Sequence, residues 1–420
     1  MEANSVDMSS ASGPQQHVQA VIEGLIKRGH SVRLLAFQDR RLQWTDDLRT
    51  WNFAGDVMNM GGLFCFIEKP VRFMQYHLHL PFFRFFDSVR FSQACRSVFK
   101  DFDLLYERDG TMSYGGVIAS RRLGIPIIVE VNGDLIEEWR QIGLNFSAPQ
   151  RAIAHLLTRL TYKYASHIVS VGETLKKKLI QRWRLDPDHI TVITNGADVQ
   201  QFIAVPEDVD VRKKYFLPAG HLIAFSGGFQ PWHGVDLILR GFRLALDENP
   251  ELRLILIGEG PVKVEAEKIS AELGLMGRAF FLGKVPHADV ASLLHASEIL
   301  VIYHRAIAAD IVETPLKLFE YMASGKAIIA PDVPNMRRIL FDGETALLVP
   351  PDEPTSLARA IQQLAGDSGL RSHLGKAARA DAITKHSWDR VVLDLEKLME
   401  KLIERNDKPD RTAHTPSDFR

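Results

Sequence analysis

The 420-residue chain contains only two cysteines, Cys65 and Cys95. That excludes a disulfide framework or a thiolate metal cluster and suits a reducing compartment. An excess of one charge is also lacking. Lys and Arg number 51 against 52 Asp and Glu, a formal net charge of −1, so bulk electrostatics do not favour nucleic acid or a strongly acidic partner. No long apolar run occurs. The richest window, Leu63 to Ile67, is far short of the roughly 20 residues that span a bilayer. The first residues carry Glu2 and Asp7 without an apolar stretch, so no secretory signal is expected and the protein reads as cytoplasmic.

What is present is the composition of an ordinary globular protein, 46% hydrophobic and 25% charged, too long for one compact core. Two domains are expected. Gln15 to Arg28 carries Val18, Val21, Ile22, Leu25 and Ile26 at helical spacing and feeds a short strand, Ser31 to Phe37. Met1–Ser12 is polar and patternless, so the strand that should precede this helix is expected to be missing. Short β-branched runs then alternate with helical patterns from Leu104 to Ile193, and again from Leu222 to Val349. That alternation predicts the fold class α/β, with two doubly wound parallel-sheet, Rossmann-like domains facing a cleft. We expect an acceptor domain over 1–200, a donor domain over 201–385, a helix over 386–405 crossing back to the first domain, and a disordered tail over 406–420. Residues 39–102 resist assignment. Their aromatics, among them Phe73, Phe86 and Phe91, alternate with arginines, as in a membrane- or acceptor-facing patch or a core with covering arginines.

Four loops fall at strand ends of the second ladder. Gly227-Gly228 opens the first, which runs on through His233 to Gly234; its glycines permit close backbone approach to phosphate. Gly258 turns the second, and Lys284-Val285 gives the third an extended edge suited to a base. The fourth contains Thr314, Pro315, Leu316, Lys317 and Glu320 at the start of a helix. Free N–H groups at such a start favour an anion, and a carboxylate one turn on can accept from ribose hydroxyls. Alone, Lys317 and Glu320 describe an ordinary surface i,i+3 pair on an amphipathic helix. Other strand-end pairs, Glu107-Arg108 and Glu130-x-Asn132, suit either an acceptor site or a structural ion pair. Asp186-x-Asp188 and Asp208-x-Asp210 lie outside strand ends and are expected to be solvated loops, with no metal. His287 and His304 lie near the donor loops, where surface or core roles compete with a site role.

The segments LILIGEGP (254–261), FFLGKVPHADVASLL (280–294), TPLKLFEYMASGKAIIAPDVPNMRRIL (314–340) and DGETALLVPPDEPTSLARAI (342–361) resemble the group 1, family 4-like retaining glycosyltransferases of the GT-B fold. VITNGADVQQF (192–202) and GPQQHVQAVIEGLIKRGHSVRLL (13–35) match as well. The resemblance implies a nucleoside-diphosphate sugar as donor, no cofactor, no metal and no nucleic acid. The acceptor would be a sugar, a lipid-linked molecule or a small molecule, and peripheral contact with the inner membrane face is compatible. It assigns Glu320 to the donor ribose, the amides around Thr314–Lys317 to diphosphate and sugar, the Lys284–Val285 backbone to the base, and Gly13 to the donor phosphates.

Departures from that pattern are specific. Positions that usually hold an Arg and a Lys are Gly228 and His233, so Lys317, and less readily Arg305, becomes the candidate to neutralise the leaving diphosphate. The usual sugar-facing Glu would sit at Val312, with Glu313 one residue away. A usual His is Asn132. Glu313, Asn132 and Lys317 are therefore the catalytic candidates for retaining sugar transfer in glycan, cell-envelope or glycoconjugate synthesis. A GT-B epimerase, or a non-catalytic or truncated nucleotide-sugar-binding relative, is the alternative.

Overall fold

The computed structural model describes residues 2–8, 13–38, 41–54, 62–77, 85–110, 113–137, 147–203, 211–306 and 314–407. Its first sheet has strands β1 (Glu2–Asp7), β2 (Leu34–Gln38), β3 (Arg41–Thr45), β4 (Asn52–Phe53), β5 (Leu105–Arg108), β6 (Ile127–Val131), β7 (His167–Ser170) and β8 (Ile190–Val192), in the order β4-β3-β2-β1-β5-β6-β7-β8. Every pairing is parallel except those of β3 with β2 and β4 with β3.

The second sheet is wholly parallel. It contains β9 (His221–Ser226), β10 (Leu252–Ile257), β11 (Ala279–Gly283), β12 (Ile299–Val301), β13 (Ala327–Pro331) and β14 (Leu347–Val349), in the order β11-β10-β9-β12-β13-β14. Leu222–Phe225 and Ala327–Ala330 are buried along their whole length. Strands covered by helices on both faces cannot alternate apolar with polar, which is why they read as continuous apolar runs. Two cores lie on the two faces of this sheet, around Phe319 and Met322 on one and Phe225 and Phe242 on the other.

The missing first strand is corrected by the structure. Glu2–Asp7 is a strand, pairing with β2 through Glu2↔Leu35 and Ala3↔Ala36 and with β5 through Glu2↔Glu107. Its sequence, EANSVD, carries no apolar signal. Its place is set by the unpaired backbone edges of β2 and β5, which a parallel strand satisfies whatever its side chains.

Among the described residues of 39–102, left unassigned by pattern, lie β3 and β4 and the helices Gly62–His77 and Phe85–Val98. Phe86 and Phe91 are buried as core aromatics. In the first of these helices Phe66, Ile67, Phe73 and Met74 are 50–75% exposed, whereas Glu68 is buried and held by Arg72 Nε at 2.6 Å and by Arg90.

Two chain crossings join the sheets. The Ala197 N–H donates to the His386 carbonyl at 2.9 Å, and the Trp388 N–H to the Ala197 carbonyl at 3.2 Å. A last helix, Trp388–Asp407, then lays Val392, Leu395, Leu398 and Leu402 on Val18, Val21, Ile22 and Leu25 of the helix Gly13–Lys27. This helix continues two residues into the stretch expected as tail, where Asn406 Nδ2 donates to the Gly124 carbonyl at 3.2 Å. Residues 408–420 lie outside the described residues.

Candidate functional site

The loops after β9, β10 and β11 lock together through backbone. The Gly227 N–H donates to Ile257 O at 2.9 Å, Gly258 N–H to Gly283 O at 2.8 Å, and Phe229 N–H to Glu259 O at 2.8 Å. Gly258, at φ 131°, lies so close to its neighbour that a Cβ there would stand 2.0 Å from Gly227 O. Only glycine tolerates both the conformation and the contact. The helix Leu316–Ser324 is fastened to the same edge, because the Ser226 N–H donates to the Tyr321 hydroxyl oxygen at 2.7 Å. Pro315 is the N-cap of this helix, at ψ 150°. The helix therefore begins at Leu316, with the first N–H groups unable to find intrahelical partners.

Lys317 and Glu320 are not a surface pair. Lys317 is buried, its Nζ 4.5 Å from the Phe225 ring centroid and without a hydrogen-bond partner. Burial lowers its pKa to about 7, and Glu320 opposes the shift. Glu320 faces another way. It accepts from His287 Nε2 at 3.1 Å, and Gln201 Nε2 donates to His287 Nδ1 at 3.1 Å. Glu320 and Leu316 line a cleft of about 420 Å³ whose other wall includes Gln16, Ala20 and Trp388. Gly13 opens the facing helix, where an added Cβ would lie 3.3 Å from Leu316 Cδ1.

His233 is buried and bonded through Nδ1 to the Gly228 carbonyl. Burial, then Lys317 and His304, hold it far below the usual histidine range, so it is neutral. His304 stacks on it with centroids 5.2 Å apart and planes 17° apart. It is wholly buried, neither ring nitrogen has a partner, and burial followed by Lys317 lowers its pKa to about 3. Arg305 is taken up by Asp236, at 2.6 and 2.7 Å, and is removed as a diphosphate ligand. Lys284 is exposed and Val285 half-buried against the core beside it. Thr314 is buried next to the helix start. Glu313 lies outside the described residues.

At the edge of the first sheet, Asn132 donates to Glu130, which is the hub of a buried network. His17 Nε2 donates to Glu130 Oε2 at 2.8 Å, Arg108 at 2.9 Å to Oε1, and Tyr106 through its hydroxyl. His17 Nδ1 lies 2.9 Å from Asn195 Oδ1. Glu130 therefore forms an ion pair with Arg108. Glu107 is buried and accepts from the Ser113 hydroxyl. Among the described residues no cluster of His, Cys, Asp and Glu could hold a metal ion. Asp186 accepts from the Asp188 N–H at 2.9 Å as a turn cap, and Asp208 and Asp210 lie outside the described residues.

Two family models match the chain in tandem, Glycosyltransferase Family 4 over residues 11–201 and Glycosyl transferases group 1 over residues 210–381. The chain belongs to this glycosyltransferase family. It is 25% identical over 299 residues to the D-inositol 3-phosphate glycosyltransferase of Streptomyces scabiei, covering 69% of this chain and 65% of that protein. An uncharacterised glycosyltransferase of Methanocaldococcus jannaschii is 21% identical over 380 residues, covering 89% of this chain and 90% of the other. The chain spans less than two thirds of the first of these relatives. Sucrose-phosphate synthase of Thermosynechococcus elongatus superposes with a TM-score of 0.69 at 18% identity, covering 96% of this chain and 98% of that one. Anabaena HepE, solved in complex with UDP-glucose, gives 0.69 at 16% identity, covering 95% and 98%. The fold is GT-B.

The site thus brings Gly13, Gly227, Gly228, Gly258, Leu316, Lys317 and Glu320 to the facing edges of the two sheets. Sequence reasoning placed His287 and His304 nearby without their partners. The Lys-x-x-Glu spacing and the histidines were visible, but which element each would meet was not.

Proposed function

We propose that this glycosyltransferase moves a sugar from a nucleoside diphosphate to an acceptor hydroxyl with retention of the anomeric configuration. The observation that carries the reading is Glu320 on the cleft wall, one turn into a helix whose start is fastened to three interlocked glycine loops and faces Gly13. The donor's diphosphate belongs at the glycine loop and the start of the helix, where amides and the helix dipole meet it. Its ribose belongs at Glu320 and its base along Lys284–Val285. Glu313 would contact the sugar, and Asn132, held by Glu130, would orient sugar or acceptor without serving as an acid or base. Transfer breaks the bond between the anomeric carbon and the diphosphate oxygen. The acceptor proton passes to the departing phosphate, so no cofactor enters and the donor is a substrate. The relatives' sugar-transfer names and the UDP-glucose bound by the Anabaena protein support this donor class.

The same reading places the exposed face of Phe66, Ile67, Phe73 and Met74 against a lipid surface, with Lys69 at its flank meeting anionic headgroups. No helix among the described residues is long and apolar enough to cross a membrane.

Incubation with a panel of nucleotide sugars tests the function. Slow donor hydrolysis with retained stereochemistry is expected. Release of a free epimer would favour an epimerase, and binding without turnover a non-catalytic relative.

A further inference from the structure

Behind the glycine loop lie three buried polar side chains from three separate elements. Lys317 comes from the helix Leu316–Ser324, His233 from the turn Pro231–His233, and His304 from the segment following β12. Among them, the Lys317 ammonium and both His304 ring nitrogens have no hydrogen-bond partner. Leaving such groups unpaired forfeits the hydrogen bonds they made to water, a larger loss for a charge. Native structures keep them chiefly where a ligand, ion or water completes them. The cluster lies directly beneath the loop: Lys317 Nζ would be 2.6 Å from a Cβ on Gly227. Nothing on this side chain's described surroundings neutralises an ammonium except Glu320 on its own helix, which is turned to His287. The turn contributes neutral His233, the β12 side neutral His304, and the end of β9 only Phe225 and Ser226.

We propose that Lys317 and His304 form an anion pocket, capped by His233, in which Lys317 takes up a proton when the donor's diphosphate enters. This rests on the donor-site reading above. The proton comes from solvent and converts the Lys317 amine to an ammonium, while neutral His304 donates one N–H to a phosphate oxygen. The pocket stands where an arginine and a lysine would otherwise supply fixed charge, and it makes donor affinity depend on pH. Because the Lys317 pKa is lowered to about 7, the uncharged form predominates above that pH. The work of charging it then grows, and affinity falls, as pH rises.

Calorimetric titration of the full chain with UDP, GDP and ADP at pH 8, in two buffers of different ionisation enthalpy, measures proton uptake directly. The nucleotide that binds should bring in between about half and one proton per site. Lys317→Met should abolish uptake and weaken binding at least tenfold. His304→Phe keeps the stack, so it should leave uptake in place and weaken binding about tenfold, the loss of one hydrogen bond to a charged group. Binding by wild type without proton uptake overturns the inference and leaves the donor reading standing, and so does unchanged uptake in Lys317→Met. Wild-type affinity in His304→Phe removes His304 from the pocket. If none of the three nucleotides binds, the donor reading falls and the inference with it.

Discussion

Lys317 Nζ is packed against the backbone of Gly227 so closely that a Cβ added to Gly227 would stand 2.6 Å from Nζ and force a shift. The amine is wholly buried beneath the loop it serves, a stability cost retained at a functional site. Its pKa, lowered from 10.5 to about 7, means the unfolded chain binds more protons between those values. Folding stability therefore rises with pH across that window. Lys317→Met removes the penalty. Thermal denaturation should show the variant more stable than wild type at pH 7, with the difference shrinking toward pH 10, while nucleotide binding weakens. A variant less stable than wild type at every pH would contradict this.

Part of this was legible in the sequence. The second sheet announced itself because strands buried on both faces must be apolar throughout, and its strand-end glycines followed in order. Helix phase alone placed Glu320 on a face apart from the core. The same phase misplaced Lys317, since Phe225 and Gly227, from another strand, bury it. The strand Glu2–Asp7 was invisible because its sequence, EANSVD, has no apolar run, although its backbone pairs with β2 and β5. The helix Gly62–His77 was obscured because Phe66, Ile67, Phe73 and Met74 are exposed while the charged Glu68 is buried, against the pattern that marks a covered helix.

The glycines of the donor edge differ in what they tolerate. Gly258→Ala forces a Cβ against Gly227 O at φ 131° and should lower stability by at least about 2 kcal/mol. Gly228→Ala meets nothing nearer than 3.8 Å and should leave the melting temperature of the ligand-free protein unchanged. Equal effects of the two substitutions on that temperature would show that backbone contact between the loops is not what fixes the edge.

Glu130 is the shared acceptor of His17, Arg108, Tyr106 and Asn132. Burial pushes its carboxyl pKa up, but His17 and Arg108 outweigh this and hold it well below the carboxylate range. A depressed folded pKa contributes stability above the unfolded value, lost as pH falls below it. Glu130→Ala strands the Arg108 charge and should cost about 3–5 kcal/mol by denaturant unfolding at pH 7. The difference from wild type should narrow on acidification below about pH 4. A cost under about 1 kcal/mol at pH 7 would count against the network.

The outward face of the helix Gly62–His77 gives a separate measurement. Phe66→Ser with Phe73→Ser should leave stability within about 0.5 kcal/mol, because both rings are already exposed at 75 and 65%. Co-sedimentation with vesicles containing anionic lipid should fall several-fold. Unchanged sedimentation would assign that face no role at a lipid surface.

The central claim is that Glu320, on the cleft wall opposite Gly13, holds the donor nucleotide. Titrating wild type and Glu320→Ala with the nucleotide that binds tests it most directly. Loss of its charge-assisted bonds should weaken affinity at least tenfold, about 1.4 kcal/mol, with the fold intact by circular dichroism. An affinity within about twofold of wild type would contradict the account.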